Sequence, residues 1–350
     1  MKTIHRILAR MAVALLAGVA LQAAAGLPDK ILFGEVGGTN VANSGGRPVS
    51  TGIVALAEHL GYFEEEFGSK GPRIEQIFFA GTGPAQNEAL AQGSIDFGTY
   101  GGVPNVIGLV GGIPARIVAT RRASGTGTFY LGVRNDSPFE SIKDLKGKRI
   151  TVQKGTNPYR SLILLLESRG LQEKDVTLVN LQGAEALVAF NAGAVDAVFG
   201  TLNLLILRDQ GKLRVLEDTK TSLDDGTQSG MLVSEKFEKA YPEVVQRVVK
   251  VLLRASHWAS REENREALLR FVAERSVAYE YVEEDYAGSL KERFNPLIDE
   301  SSVLAYDELV KFGVKHRLIR KGVDEKTIRT WFRPQYQQQA LQELGLEGYW

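Results

Sequence analysis

The sequence predicts an α/β protein of two lobes, each a mostly parallel sheet flanked by helices, with a cleft at the hinge. Three observations predict it. From Lys30 onward, short apolar strands alternate with amphipathic helices. A helix–glycine–aspartate–strand pattern occurs twice: "EALAQGSIDFGTYG" begins at Glu88 and "VAFNAGAVDAVFGT" at Val188. After Gly226 the rhythm changes, and one strand is followed by helices alone.

The elements follow in order. "KILFGEV" (Lys30 to Val36) reads as a strand, and "STGIVALAEHLGYFEEEF" reads as helix from about Ser50. Ser50 or Thr51 is its expected N-cap, and Gly61 ends it. "IEQIFFA" is a strand; "PAQNEALAQ" is a helix with Pro84 in its first turn and Gly93 just past its end. "SIDFGTY" and "ARIVATRR" are strands. The second unit begins with "SIKDLKGKRITVQKGTNPYRSLILLLESRGL", a strand, a tight corner and a helix expected to be capped by Asn157 and ended by Gly170. Strand "VTLVN", helix "GAEALVAFNAG" and strand "AVDAVFG" complete it. "QSGMLVSEKF" is a further strand, and helices are expected over Pro242 to Ala259 and about Glu263 to Ala273. The layout expected is residues 1–25 as a signal peptide, 26–134 as the first part of lobe one, 135–226 as lobe two and 227–350 as the completion of lobe one. Two chain crossings then leave a cleft at a hinge.

A length of 350 residues is enough for two lobes with cores of their own. Lys2, Arg6 and Arg10 precede the apolar run "MAVALLAGVALQAA", and "AAAG" supplies small residues for cleavage before Gly26. The apolar run is shorter than the ~20 residues a membrane span needs, which favours cleavage over an anchor. Cleavage removes three basic residues and no acids, leaving 39 basic against 42 acidic side chains. That balance argues against a nucleic-acid partner, which favours a basic surface. The absence of cysteine excludes disulfides, thiol catalysis, thiolate metal sites and a lipidated N-terminal cysteine.

No catalytic constellation is legible. His59 and His257 each stand alone in an amphipathic helix; there is no H-E-x-x-H and no G-x-S-x-G. "GTGPAQ" opens like a dinucleotide fingerprint but has Gln86 where the third glycine belongs. The paired acids Glu64 to Glu66, Asp224 with Asp225 and Glu283 with Glu284 read as solvated surface. No cofactor and no metal are expected. What remains is two glycine corners, "AGTGP" and "KGTNP", each ending a strand and opening a helix. A helix start offers unpaired N–H groups and partial positive charge, so a small anion is favoured there without a formal cation. Thr82, Thr156 and Asn157 add side-chain donors, while Gly81, Gly83 and Gly155 clear the approach.

Four segments in this order, "FFAGTGPAQNEALAQGSIDFGTYGGVP", "SPFESIKDLKGKRITVQKGTNPYRSLILLLESRGL", "GAEALVAFNAGAVDAVFG" and "HRLIRKGVDEKTIRTWFRP", resemble the solute-binding proteins of ABC importers for aliphatic sulfonates and taurine. The wider group also takes up nitrate, bicarbonate and thiamine precursors. The resemblance spans nearly the whole mature chain. It implies the two-lobed periplasmic binding protein fold of type II, closing on its ligand like a hinged trap. It also implies site residues: Gly81, Thr82 and Gly83 on one side of the anion; Tyr100, Gly101 and Gly102 lining the first lobe; Gly155, Thr156 and Asn157 as donors from the second. Thr201 and Leu202 follow the second repeated strand, and Thr227 with Gln228 sit at the return crossing. Two departures stand out. "FGTLNLL" replaces a Trp-Asp-Pro-Tyr-like stretch, and a long loop, "GGTNVANSGGRPVSTG", follows the first strand. That loop brings Gly38, Thr39 and Asn40 as further candidates, and Arg47 as a possible bidentate partner for a sulfonate or carboxylate.

The function expected is therefore capture of a small organic anion, foremost an aliphatic sulfonate or a taurine-like compound, by a periplasmic monomer that docks transiently on an inner-membrane ABC permease. Nitrate, bicarbonate, a sulfate ester or a pyrimidine thiamine precursor stay open as ligands. A ligand sensor and an enzyme on the same scaffold are the other readings, the latter without a reactive constellation to support it.

Overall fold

The structure, a computed structural model, describes residues 26–36, 48–121, 128–222 and 228–350. The expected signal peptide lies outside them, as do Gly38, Thr39, Asn40, Arg47 and Thr227. Among the described residues no helix is long and apolar enough to cross a membrane.

Among the described residues ten strands form two five-stranded sheets. The first contains β1 (Lys30–Val36), β2 (Arg73–Phe79), β3 (Phe97–Gly101), β4 (Ala115–Arg121) and β10 (Ser229–Ser234), in the order β2-β1-β3-β10-β4. The second contains β5 (Tyr130–Arg134), β6 (Arg149–Thr151), β7 (Thr177–Val179), β8 (Ala197–Gly200) and β9 (Leu213–Asp218), in the order β7-β6-β8-β5-β9. Four strands of each sheet run one way. The strand brought in by a crossing, β10 or β5, runs against its neighbours. β5 thus belongs to the second sheet, and the chain first crosses before Tyr130 rather than near Arg134. It returns between Ser222 and Ser229.

The repeated pattern is built identically in both lobes. Gly93 and Gly193 take left-handed backbone (φ +69 and +71), where a side chain is strained, and so end their helices. Three residues on, Asp96 accepts the N–H of Leu32 at 2.9 Å, and Asp196 accepts that of Arg149 at 2.8 Å. Each aspartate ties its strand to the parallel neighbour beside it, β1 in one lobe and β6 in the other.

The first sheet is packed on both sides. Ile31, Phe33, Phe97 and Met231 meet the helix Pro242–Ser260, whose Val245, Val248, Val249 and Leu252 form its buried stripe. Phe33 stacks on Phe97 at 5.0 Å. Leu90, Tyr100, Leu232, Tyr306 and Leu309 fill the opposite side. The C-terminal segment does more than complete this lobe: Phe312, near the end of helix Glu300–Lys315, is buried in the core of the second lobe.

Two caps differ from the sequence reading. Helix Ile53–His59 is preceded by Gly52, and Ser50 instead accepts the Gly52 N–H at 2.9 Å. Helix Asn157–Ser168 is capped by Thr156, which accepts from the Tyr159 N–H. The Asn157 side chain is thereby left for another task.

Candidate functional site

A cavity of about 460 Å³ opens between the lobes against the strand ends of the first sheet. Its floor is a row set by register: Glu35 lies opposite Thr99, Thr99 opposite Met231, and Met231 opposite Ala119. Arg121 lies opposite Ser229 at the far corner. Its presence on this face depends on a β-bulge. Leu232 pairs with Ile117 but Met231 pairs with Ala119, so Val118 is passed over. Strict alternation would set Arg121 on the face of Ile117, in the opposite core; the extra residue turns it into the cleft. Leu252 and Leu253 of helix Pro242–Ser260, with Phe294, form an apolar wall. Phe129, Asn157, Thr201, Leu202 and Asn203 contribute from the second lobe.

Four charged or chargeable groups line this space. Arg293 and Asp285 are both buried and paired at 2.8 Å. Asp285 also accepts the Thr128 N–H at 2.8 Å, and Arg293 lies 3.6 Å from the Tyr286 ring centre. That pair is internally satisfied. Arg121 is different: among the described residues no carboxylate pairs with it. Solvent reaches its side chain through the cleft mouth, while protein mass surrounds it on the other sides. Burial, then the positive charge of Arg293, lowers its pKa from the usual guanidinium value, with Tyr286, Glu35 and Asp285 acting the other way. It remains a cation at neutral pH.

Glu35 is the fourth group. It is 5% exposed. Ser50 donates to its Oε2 at 3.4 Å, and Oε1 has no partner. Burial pushes its pKa up to about 7, against the opposing pull of Ser50 and Arg121. Near neutrality Glu35 is only about half ionised, and Arg293 and Asp285 cancel, so Arg121 leaves the cavity net positive and suited to an anion.

The residues singled out from sequence fall into three groups. Tyr100, Gly101, Asn157, Thr201 and Leu202 are on the cleft wall. The Tyr100 side chain turns to the opposite side of the sheet, where it is buried and donates its hydroxyl to Asn87 at 2.6 Å. Asn157 clamps the lobes: its Oδ1 accepts the Val103 N–H at 3.0 Å and its Nδ2 donates to the Gln228 carbonyl at 3.0 Å. Gly101 permits this approach, since a Cβ there would lie 2.5 Å from the Asn157 side chain. Away from the cavity, Thr82 donates to Gln153 of the other lobe at 3.2 Å from left-handed backbone (φ +54). Gly81 precedes its helix, Gly83 packs on Pro104, and Gly102 donates to the Gln228 carbonyl at 2.7 Å. Gly155 sits against Ile107, Thr156 donates to the Gln153 carbonyl at 2.6 Å, and Gln228 is buried with its Oε1 unpartnered. The third group, Gly38, Thr39, Asn40, Arg47 and Thr227, lies outside the described residues. In this conformation the two glycine corners engage the opposite lobe. They also sit at unmatched places, after β2 and after β6, so they are not partners in the repeat.

Sequence reasoning missed Arg121 and Glu35. Both stood in segments read simply as strands, and the bulge that aims Arg121 leaves no mark on the pattern "ARIVATRR". Among the described residues no cluster of His, Asp and Glu is arranged to hold a metal.

The model of the family described as NMT1/THI5 like matches residues 47–266. The chain belongs to this family. Among family relatives, a Bacillus subtilis (strain 168) protein carrying the name aliphatic sulfonates-binding protein is 29% identical over 78% of this chain and 81% of its own length. A solved structure from Methylobacillus flagellatus KT, titled as the periplasmic sulfonate-binding protein SsuA of a sulfonate ABC transporter, is 31% identical; the match covers 93% of this chain and 98% of that one, with a TM-score of 0.74. A desulfurization enzyme shares the fold at 18% identity and a TM-score of 0.63, covering 90% of this chain and 99% of its own. The two-lobed periplasmic binding protein fold is therefore that of this chain. Both of these relatives are binding proteins by name, and the same fold also carries an enzyme.

Proposed function

We propose that the mature chain is a monomeric periplasmic solute-binding protein that captures a small organic anion, foremost an aliphatic sulfonate, and delivers it to an ABC permease without chemical change. The observation that carries this reading is Arg121, a guanidinium with no carboxylate partner among the described residues, aimed by a bulge into a cavity with an apolar wall. A planar guanidinium offers two parallel donors to a sulfonate or carboxylate. The apolar wall takes an alkyl body, and lobe closure strengthens the bonds by excluding water. The names of the relatives point to the same ligand class and, with the signal-like N-terminus, to export. An enzymatic reading has less behind it: the sequence has no thiol and no legible catalytic motif.

A thermal-shift screen of the mature protein tests it. The panel holds taurine, short and long alkanesulfonates, sulfate esters, nitrate, bicarbonate, carboxylates and a pyrimidine precursor. A ligand at ~100 times its Kd adds about 2.7 kcal/mol and raises the midpoint clearly. Stabilisation by sulfonates that disappears in Arg121→Gln is expected. Stabilisation by another class alone moves the ligand and keeps the role. Unchanged midpoints with every compound overturn the reading.

A further inference from the structure

The anion reading leaves the opposite end of the cavity unused. Arg121 is at the end of β4, and Glu35 is at the end of β1, across β10 and β3. Glu35 is 5% exposed and its Oε1 has no partner among the described residues. Its cross-strand neighbour Thr99 also has a buried hydroxyl with none. Both line the cavity. Two adjacent, buried and unsatisfied oxygens are costly in a folded protein unless something arrives to pair them. Between them and Arg121 the surface is apolar, with Met231 and Ala119 on the floor and Leu252 and Leu253 above.

We propose that Glu35 and Thr99 form a second polar subsite, and that the ligand is an anion whose apolar body ends in a hydrogen-bond donor, namely a primary amine. This rests on the reading of the cleft as an anion-capture site. It makes the cavity dipolar, with the anionic head at Arg121 and the donor at Glu35. The span selects length as well as chemistry. Three interstrand steps and a two-residue offset along the strand separate the Glu35 and Arg121 backbones by about 16 Å, so with upright side chains and a hydrogen bond at each end the spacer is about six carbons. A two-carbon spacer reaches one end only. An arriving ammonium favours the ionised carboxylate, so binding releases the proton that Glu35 holds near neutrality. The groups facing Glu35 that modulate this are Ser50, Arg121 and Glu58, the last of which raises its pKa slightly.

The test is calorimetry on the mature chain at pH 7 with two probes, 6-aminohexane-1-sulfonate and hexane-1-sulfonate, each in two buffers of different ionisation heat. The amino probe is expected to bind at least tenfold tighter and to release a fraction of a proton, while the plain probe releases none. In Glu35→Gln the affinity ratio is expected to fall to about one and the proton release to vanish; Thr99→Val is expected to lower the ratio partway. Equal affinities in the wild type, or a ratio that survives Glu35→Gln, overturn the second subsite and leave anion capture standing. If neither probe binds, the anion-capture reading falls, and this inference with it. Because the wild-type ratio alone decides the matter, a variant that failed to fold would not shield the proposal.

Discussion

In the second lobe, the face that corresponds to the cleft wall is closed by side chains. The correspondence follows from the two aspartates. Matching Asp96 with Asp196 sets Phe33 against Ile150 and Phe97 against Ala197, and so Glu35 against Val152 and Thr99 against Phe199. Met231 matches Leu131, and both lobes carry a bulge at the same point of the last strand, passing over Val118 in one and Leu216 in the other. Beyond the bulge, Arg121 matches Thr219. Val152, Phe199 and Leu131 are buried in a continuous core. Thr219 accepts the Phe129 N–H at 3.0 Å and stays in the backbone network. One frame thus yields a packed face where these positions hold Val, Phe and Thr, and a charged cavity where they hold Glu, Thr and Arg. The frame supplies position; these few side chains supply the site.

Giving the first lobe the residues of the second is the most direct way to break this contrast. Arg121→Thr removes the only unpaired guanidinium lining the cavity among the described residues and leaves the bulge in place. Sulfonate affinity should fall at least 100-fold, about 3 kcal/mol, with an unchanged circular dichroism spectrum. Calorimetric affinity close to wild type would place the anion elsewhere.

Glu35→Val tests the exchange at β1 through stability. Below pH 4.5, the ordinary value of this carboxyl, folded and unfolded states both hold its proton and the burial penalty is absent. As pH rises, the unfolded state releases the proton first, while the folded state keeps it to about 7. Wild-type stability is therefore lost across that window, and above it the deficit is full, about 3 kcal/mol. The gain of the variant over wild type in urea unfolding should grow between pH 4.5 and 7 and then level off. A gain that does not vary with pH contradicts the buried, unpaired carboxyl.

Asn157→Ala probes the clamp between lobes. It strips partners from the Val103 N–H and the Gln228 carbonyl, at about 1 kcal/mol each. The closed arrangement should become less populated, with ligand affinity down roughly tenfold and a larger radius of gyration in solution scattering. An unaltered radius and affinity would mean that Phe312 and the interlobe ion pairs Lys315–Glu167 and Arg208–Glu284 hold the lobes together unaided.

How much of this could be read from sequence divides along the same line. The frame was legible because helix, glycine, aspartate and strand form a local pattern, and Gly93 and Gly193 have a local reason to be glycine. Arg121 was not, since a bulge is a fact of pairing between β4 and β10, two strands a hundred residues apart. Nor was Glu35, whose surroundings, Ser50 and Gly52 ahead of the next helix and Thr99 on the next strand, are set by tertiary pairing. The glycine corners were recognised as corners. What a helix start offers, unpaired N–H groups and small residues, serves an opposing lobe as well as an anion, and only the tertiary contact of Asn157 distinguishes the two. The expected cap at Asn157 went to Thr156 for a related reason, because either residue suits a helix start and the demand from the other lobe decides between them.

The finest distinction lies in the aspartates themselves. Asp96 and Asp196 hold the same backbone N–H in the same geometry, yet their acidities move in opposite directions. At Asp96 burial dominates and raises the pKa, with the Leu32 N–H, Lys236 and Lys30 only partly offsetting it. At Asp196 burial also acts upward, but the Arg149 N–H, the Arg149 side chain at 3.4 Å and Lys148 together pull the pKa below the usual value. The consequences for stability have opposite signs. Asp196 stabilises the fold above its unfolded pKa, and that contribution fades as pH falls through its lowered folded value. Asp96 is penalised in its ionised form, so its contribution declines as pH rises from the unfolded value through its raised folded one. Each Asp→Asn change is expected to cost about 1 kcal/mol, because an amide oxygen still accepts but without charge. The cost of Asp196→Asn should grow between pH 3 and pH 6, and that of Asp96→Asn should shrink over the same range. Denaturant midpoints of the two variants and the wild type across that range decide it. Parallel trends would mean that the shared frame governs both aspartates, and that the Arg149 side chain which distinguishes them makes no energetic difference.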